Sequence, residues 1–475
     1  MTTATFPIDP CDLPALKRWL ASQGPGGENK HSPLRPLDIG EIFIGPDVLQ
    51  QLPGVLQRAG ISSGSPVVLV MDETPMLRGK EALKPLVQAL LDNAGYHVQP
   101  LWLTGDRYGL VHADFEQVQR VQAAITPGAA IVALGSGTVT DIAKHAAYLY
   151  DLAHPEQAGS IYICCQTANS VTAFAANMTV LLKDGVKRTL PSRYPTAIIS
   201  DLGVLASAPE AMTLAGLGDC CARFVAYGDW YLASTLGMVD LYSEVPLALL
   251  DKLDVILLEY AASIGERSYA GEAVVARALL LAGIAQSIVN MSAPISGTEH
   301  VTSHVLDMIA DHYQRGLVLH GAQVGVATIT AARLYQRFLD TFDPHAVDID
   351  VCFPAESLIR THVQQLFHQL DPTGAMAREC WHDYSEKLAL WRGNRVHFEQ
   401  FCTHWHGTHR PKLASLVCSP HIVHTILARA GAPLVCQDLQ PSISQQEYDF
   451  AVQNGHFIRK RFVLGDLLYF LNWSV

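Results

Sequence analysis

The chain is short of several things that would point to other functions. Its 475 residues contain no Cys-x-x-Cys spacing; the ten cysteines are Cys11, the adjacent pairs Cys164/Cys165 and Cys220/Cys221, and five scattered singles. Neighbouring cysteines close no unstrained bridge, so neither a disulfide framework nor a zinc ribbon is indicated, and reduced thiols in a cytoplasmic protein are expected. Cations are the minority sign, with Lys+Arg 33 against Asp+Glu 45 and a formal net charge of -12. That argues against the clustered positive surface which nucleic acid or an anionic membrane requires. Long apolar runs are missing as well: VPLALLDKLDVILLEYAASI is interrupted by Asp251, Lys252, Asp254 and Glu259. The opening MTTATFPIDPCDLP has no basic stretch leading into an apolar one. No membrane insertion and no export are expected.

Apolar residues are plentiful at 49%, with 16% charged, which is enough for a large core in two or three folding units. After a Pro/Gly-rich lead, GPGGENKHSPLRP, short apolar runs alternate with longer amphipathic ones. Pro66 to Asp72, VQPLWLTG, Ala129 to Gly137 and Ser160 to Thr167 read as buried strands, which is βαβ organisation and hence a parallel sheet. Asp184-Gly185 between two β-rich arms predicts a two-residue hairpin, and TAIISD supplies a further strand. From about Pro209 amphipathic helical stretches follow one another to the end. The expected architecture is an α/β, Rossmann-like nucleotide-binding domain over residues 1-208 and an all-α metal and substrate domain over 209-475. Asp340 to Pro354 and the region of His404 to Pro411 read as loops.

Three short stretches carry metal-capable side chains in glycine-rich or helical settings: Asp219 in GLGDCCARF, His300 in SGTEHVTSH and His320 in LHGAQVGV. One carboxylate and two imidazoles make a protein ligand set that leaves a coordination position open on a divalent metal. His300, His304 and Asp307 fall at i, i+4 and i+7, on one helical face. The denser cluster His404, His406 and His409 holds no carboxylate, Glu399 being the nearest, and is taken as an exposed loop. In ALGSGTVTDIAKHAA, Gly135 and Gly137 follow a buried strand and open a helix, so backbone N–H groups with Ser136 between them can cradle a pyrophosphate. Thr140 stands where a third dinucleotide-fingerprint glycine would fall, so an ordinary strand-to-helix turn is the competing reading. Asp141 and Lys144 at i, i+3 read as a solvated pair. Asp72, at the carboxyl end of its strand, can accept the ribose hydroxyls of NAD and repel the 2′-phosphate of NADP; capping the next helix is the alternative.

Taken in order, GSGTVTDIAK, TLPSRYPTAIISDLGVLASAP, GLGDCCARFVAYGDW, SGTEHVTSH, HGAQVGV and ILARAGAP…IRKRFVLGDLLYFL resemble the landmarks of the sn-glycerol-1-phosphate dehydrogenase family. That family sits in the iron-containing alcohol dehydrogenase and dehydroquinate synthase-like superfamily. The resemblance implies NAD(P) on the α/β domain and a divalent metal, zinc first with nickel or iron as the others, on the helical one. It implies Asp219, His300 and His320 as metal ligands, and Gly135, Ser136, Gly137 and Asp141 at the pyrophosphate. Asp72 is implied at the adenosine ribose, and Thr167 and Ser170 elsewhere along the cofactor. His304 is implied beside the substrate. The chain also departs from the pattern: QTANSVTAFAA stands for PTAPSMDGYTS, placing Thr172 where an aspartate approaches substrate hydroxyls and Phe174 where a tyrosine stands. Arg223 replaces a lysine, and Ala322 follows His320-Gly321 in place of a glutamate.

The expected reaction is reversible hydride transfer between nicotinamide C4 and a carbonyl polarised by the ion, most directly dihydroxyacetone phosphate giving sn-glycerol 1-phosphate or a related polyol phosphate. His304 is expected to deliver the proton, and Lys187 and Arg223 to anchor the phosphate. A dehydroquinate synthase-like cyclase or lyase using NAD transiently, and a non-catalytic binding protein on the same scaffold, are the alternatives. The partner is a small polyol or ketone phosphate, and a homodimer is compatible with the sequence.

Overall fold

The computed structural model describes residues 5–23, 34–106, 109–157, 159–183, 186–473. Among the described residues two compact units emerge: 5–23, 34–220 and Ala248–Met291 form one, and Cys221–Leu247 and 292–473 the other. Most of the Pro/Gly-rich lead lies outside the described residues.

In the first unit six strands form one parallel sheet in the order 41–45, 197–201, 161–166, 130–135, 66–71, 97–102. Strands Pro66–Met71 and Ala130–Gly135 are almost wholly buried, because helices cover both faces, and this is why they read as unbroken apolar runs. Val67, Leu69 and Met71 pack with Val132, Leu134 and Ile163 and with Leu52, Leu56, Leu83 and Val87 from the covering helices. The chain leaves 66–71 toward 97–102 on one side, and leaves 130–135 toward 161–166 on the other. The direction of winding reverses between these two strands, so the crevice at their carboxyl ends is where an open α/β sheet takes a ligand. Asp72 and Gly135–Gly137 lie at those two ends.

The expected hairpin forms from Met178–Lys183 and Val186–Pro191, paired antiparallel from Met178↔Pro191 to Lys183↔Val186. Its turn, Asp184-Gly185, and the side chain of Lys187 lie outside the described residues. Helix Tyr269–Val289 is long and apolar enough to cross a membrane, yet 83% of its apolar window is buried inside the protein. It is a core helix.

The second unit is helical throughout. Thr298–His312 packs on His320–Thr341, which also packs on Pro420–Ala430. The stretch after His345 folds into helices Glu356–His368, Ala375–Gly393 and Arg395–Thr403 around an aromatic core. Trp391 stacks on Phe470 (centroids 4.7 Å apart, planes 4° apart) and on Phe353 (5.0 Å, 8°). Lys387, fully buried, donates from Nζ to the carbonyls of His456 (2.5 Å) and Arg461 (3.0 Å) and pairs with Asp466 (2.8 Å). Burial holds the Lys387 ammonium below its ordinary value and pushes the Asp466 carboxyl up to about 6. Helix Ala375–Gly393 thereby anchors the segment 456–466.

The region His404 to Pro411, expected as a loop, is helical: a single π-helical turn, Trp405–His409, runs directly into helix Arg410–Leu416. Pro411 sits in the first turn of that helix, where its missing N–H breaks no bond, and Trp405 is fully buried against Phe338, Phe342 and Phe401. Proline and glycine there mark a helix start, not a loop.

Candidate metal centre and cofactor turn

Ser136 is the N-cap of helix Gly137–Ala153, in extended conformation, and lets the strand 130–135 turn sharply into the helix. A Cβ at Gly135 would come within 2.4 Å of the Val139 side chain, and one at Gly137 within 2.4 Å of Val171 Cγ2. The glycines are therefore required by close packing on the protein side, and the helix that opens there has at its N-terminus the N–H groups without intrahelical acceptors that an anion cradle uses.

Asp141 and Lys144 are not the solvated pair expected of them. Lys144 is wholly buried, 3.0 Å from Asp141, and donates to the Ala173 carbonyl at 2.9 Å. Asp141 accepts from Val180 N–H (3.3 Å), and its carbonyl accepts from Thr179 Oγ1 (3.2 Å). The pair ties the hairpin and the 172–175 turn to the helix, a role invisible in the i, i+3 spacing because the partners lie some thirty to forty residues away.

Asp72 ends its strand where expected and is buried. Its Oδ1 accepts from Thr74 N–H (3.1 Å) and from Lys84 Nζ (3.2 Å), and Lys84 also donates to the Asp72 carbonyl at 2.5 Å. Lys84 was not singled out in the sequence. Its charge offsets the repulsion on which discrimination against a 2′-phosphate would depend.

Thr167 and Ser170 are both buried on the segment that follows strand 161–166, and Thr167 N–H donates to the Gly135 carbonyl at 3.2 Å. Thr172 N–H donates to Asp219 Oδ2 at 3.0 Å. Asp219 lies in the last turn of helix Glu210–Cys221 and is buried.

His300 and His304 lie one turn apart on helix Thr298–His312, and His320 opens helix His320–Thr341. The rings of His300 and His320 are 5.1 Å apart between centroids, and that of His304 is 5.6 Å from His320 and 6.4 Å from His300. One donor atom of His300 lies within 4.8 Å of one of His320; Asp219 belongs to the first unit and those two histidines to the second. His404, His406 and His409 gather no such set.

Whether the residues fit a metal turns on which ring nitrogen is available. His300 Nδ1 is 2.9 Å from Glu299 Oε1, an acceptor-only carboxylate that also takes the Gly297 N–H at 2.6 Å. His320 Nδ1 is 2.9 Å from Ser303 Oγ, and Ser303 donates its own hydroxyl hydrogen to Gln323 Oε1 at 2.6 Å. Each Nδ1 thus carries its proton, and each Nε2 keeps the lone pair a metal ligand uses. Glu299 is wholly buried, as is Asp229, which accepts from Thr298 N–H (2.6 Å), Tyr335 Oη (2.6 Å) and Leu464 N–H (2.7 Å). Burial, then the charge of Glu299, pushes the Asp229 carboxyl up to about 7. Glu299, Ser303 and Asp229 stand inside the quoted motifs; the sequence signal for Glu299 and Ser303 was an acidic and a hydroxyl residue beside His300 and His304, and Asp229 had none beyond its place in the Asp219 motif. The Arg223 guanidinium lies 5.9 Å from the Phe224 ring centroid and 6.0 Å from that of Tyr227.

Residues 43–209 match the family described as iron-containing alcohol dehydrogenase. The same fold is found in the alcohol dehydrogenase from Oenococcus oeni, with a TM-score of 0.51 and 14% identity over 91% of this chain and 97% of that one. This defines the class. More narrowly, the chain is 31% identical to the glycerol-1-phosphate dehydrogenase [NAD(P)+] of Halobacterium salinarum over 62% of its own length and 77% of that protein's. It is 27% identical to the enzyme of that name from Bacillus subtilis, over 67% of this chain and 78% of the relative. The chain belongs to the glycerol-1-phosphate dehydrogenase family and is a metal-dependent, NAD(P)-linked oxidoreductase.

Proposed function

We propose that this enzyme interconverts dihydroxyacetone phosphate and sn-glycerol 1-phosphate, in the cytoplasm, with one divalent metal ion held by Asp219, His300 and His320. The observation that carries the reading is the pair of imidazoles, 5.1 Å apart between centroids, whose Nδ1 protons are directed to Glu299 and Ser303. When bound, the nicotinamide exchanges a hydride with the carbinol carbon and the cation draws electron density from its oxygen, zinc, nickel and iron being alike suited to this ligand set.

The protein's own groups do the rest. Gly135, Ser136 and Gly137 offer backbone N–H groups to the pyrophosphate, with Thr167 and Ser170 beyond, while Asp141 holds the turn's helix in place. Asp72 accepts from the adenosine ribose. With Lys84 beside it the local charge is balanced, so both NAD and NADP are accommodated. His304, on the same helical face as His300, takes the proton from the substrate hydroxyl during oxidation and returns it to that oxygen during reduction. Arg223 is the phosphate anchor among the described residues, and Thr172 presents a hydroxyl to the substrate's own hydroxyls where the family pattern has a carboxylate.

The test is NADH and NADPH oxidation by purified protein loaded in parallel with zinc, nickel or ferrous iron. Dihydroxyacetone phosphate is compared with unphosphorylated dihydroxyacetone. Turnover of the phosphate and stoichiometric formation of the sn-1 product is the expected result. No oxidation with any small ketone or aldehyde phosphate defeats the proposal.

A further inference from the structure

The segment Thr167–Thr172 joins the phosphate turn to a candidate metal ligand, and its middle is held by side chains no motif contains. At one end Thr167 N–H reaches the Gly135 carbonyl, and at the other Thr172 N–H reaches Asp219 Oδ2. Between them Asn169 is wholly buried. Its Nδ2 donates to Glu272 Oε2 (2.7 Å) and to the Glu272 carbonyl (3.0 Å), and its Oδ1 accepts from Gln166 Nε2 (2.8 Å). The chain of bonds continues in both directions: Ser200 Oγ donates to Gln166 Oε1 (2.6 Å), and Thr213 Oγ1 donates to Glu272 Oε1 (3.0 Å). All five side chains are essentially free of solvent contact. Every donor in this directed chain meets an acceptor, so rotating one amide breaks bonds at its neighbours.

Sterics confine the same segment. A Cβ at Gly216, on helix Glu210–Cys221, would lie 2.2 Å from the Asn169 carbonyl oxygen, and one at Gly283, on helix Tyr269–Val289, 2.6 Å from that of Thr172. Gln286 Nε2 donates to Thr172 Oγ1 at 3.2 Å. The segment has no room to move sideways. Glu272 itself is an expensive group to keep there, since burial raises its carboxyl above the ordinary range and the bonds from Asn169 and Thr213 only partly counter this. An apolar residue would fill the space more cheaply unless the hydrogen bonds serve a purpose.

We infer that Asn169 and Glu272 are positioning residues: their hydrogen bonds fix the Thr167–Thr172 segment so that nucleotide at the Gly135–Gly137 turn and metal at Asp219 are held by one rigid element. The inference rests on the proposed function for what the segment positions. It predicts that one lesson from Asn169 is felt at two sites, through Thr167 at the turn and through Thr172 at Asp219.

The experiment measures NADH affinity in metal-free protein, Zn²⁺ affinity in nucleotide-free protein by chelator competition, and thermal unfolding, for Asn169→Ala, Glu272→Ala, their double variant and Glu272→Gln. Asn169→Ala and Glu272→Ala are each expected to weaken both affinities by about tenfold, the scale of lost outer-layer partners. The double variant is expected to be no weaker than either single one, because the two act as one unit. Glu272→Gln retains an acceptor for Asn169, and the Thr213 hydroxyl can turn to accept, so it should restore both affinities to within about threefold. Should the alanine variants fail to fold, Gly216→Ala displaces the Asn169 carbonyl with the network's side chains intact and must produce the same paired loss. Variants that melt earlier yet bind NADH and Zn²⁺ like the wild type, or whose losses add, overturn the inference and leave the proposed function standing. Wild-type protein that bound neither ligand would instead defeat the proposed function.

Discussion

Two histidine clusters lie in the helical unit, and the richer-looking one is the poorer site. In THWHGTHRP three histidines fall within six residues, but His404 Nδ1 bonds the Gln400 carbonyl of its own helix (2.9 Å). His409 Nδ1 meets the Tyr231 hydroxyl (2.9 Å), and its ring stacks on Phe401 at 4.8 Å. These contacts aim the rings in different directions; the His404 and His409 planes stand 88° apart. His300 and His320, twenty residues apart in sequence, have Nδ1 acceptors that are themselves held: Glu299 by the Gly297 N–H, Ser303 by Gln323. One ring nitrogen is fixed in both clusters; His300 and His320 differ in that their rings converge, 5.1 Å apart between centroids, and sequence density does not measure that.

The largest expected effect is at His300 and His320. His300→Ala or His320→Ala should abolish stoichiometric metal and lower kcat/KM by at least about a thousandfold, since the Lewis acid is lost. The triple change of His404, His406 and His409 to alanine should leave both unchanged. Metal content by plasma mass spectrometry beside steady-state kinetics decides it. Metal lost from the triple variant, or retained by either single one, reverses the ranking of the clusters.

A smaller effect is expected at the Nδ1 acceptors. Glu299→Gln keeps the shape but presents a weaker, neutral acceptor to His300 Nδ1, and Zn²⁺ affinity should fall by roughly 10–100-fold while the far-ultraviolet circular dichroism stays unchanged. Ser303→Ala leaves His320 Nδ1 without its hydroxyl acceptor and should cost less, about tenfold, the serine being neutral. Equal losses in the two variants would show that charge on the acceptor has no part in tuning the imidazoles.

How much of this was legible depends on how far apart the partners lie in the chain. The parallel sheet, the turn at Gly135–Gly137 and the one-face spacing of His300 and His304 are local patterns, and the sequence carries them directly. Glu299 and Ser303 were visible as letters of a motif, but their task depended on which way each ring turns. The Asn169–Glu272 bond joins residues 103 apart, and Lys84 meets Asp72 across the strand-to-helix connection, so periodicity has nothing to say about either. The Asp141–Lys144 pair misled for the opposite reason: a local spacing typical of surfaces was buried by the hairpin that folds over it.

A histidine outside both clusters bears on stability. His456 is buried beside Lys387, Tyr384 and Tyr469, and burial, followed by the Lys387 charge, holds its imidazole well below the ordinary 6.5. The folded protein keeps it neutral while the unfolded chain binds a proton below pH 6.5. Stability from this group is therefore complete above that value and lost as pH falls. At pH 5.5 the loss is about 1.4 kcal/mol by linkage. His456→Phe removes the titration and keeps the backbone carbonyl that accepts from Lys387, so the variant's unfolding free energy should lose about that much less than wild type between pH 8 and pH 5.5. Urea unfolding of the metal-free proteins at both values provides the measurement, and the other histidines, present in both, cancel in the difference. Equal losses would mean that His456 takes up its proton inside the fold, and that the neighbouring ammonium of Lys387 does not govern it.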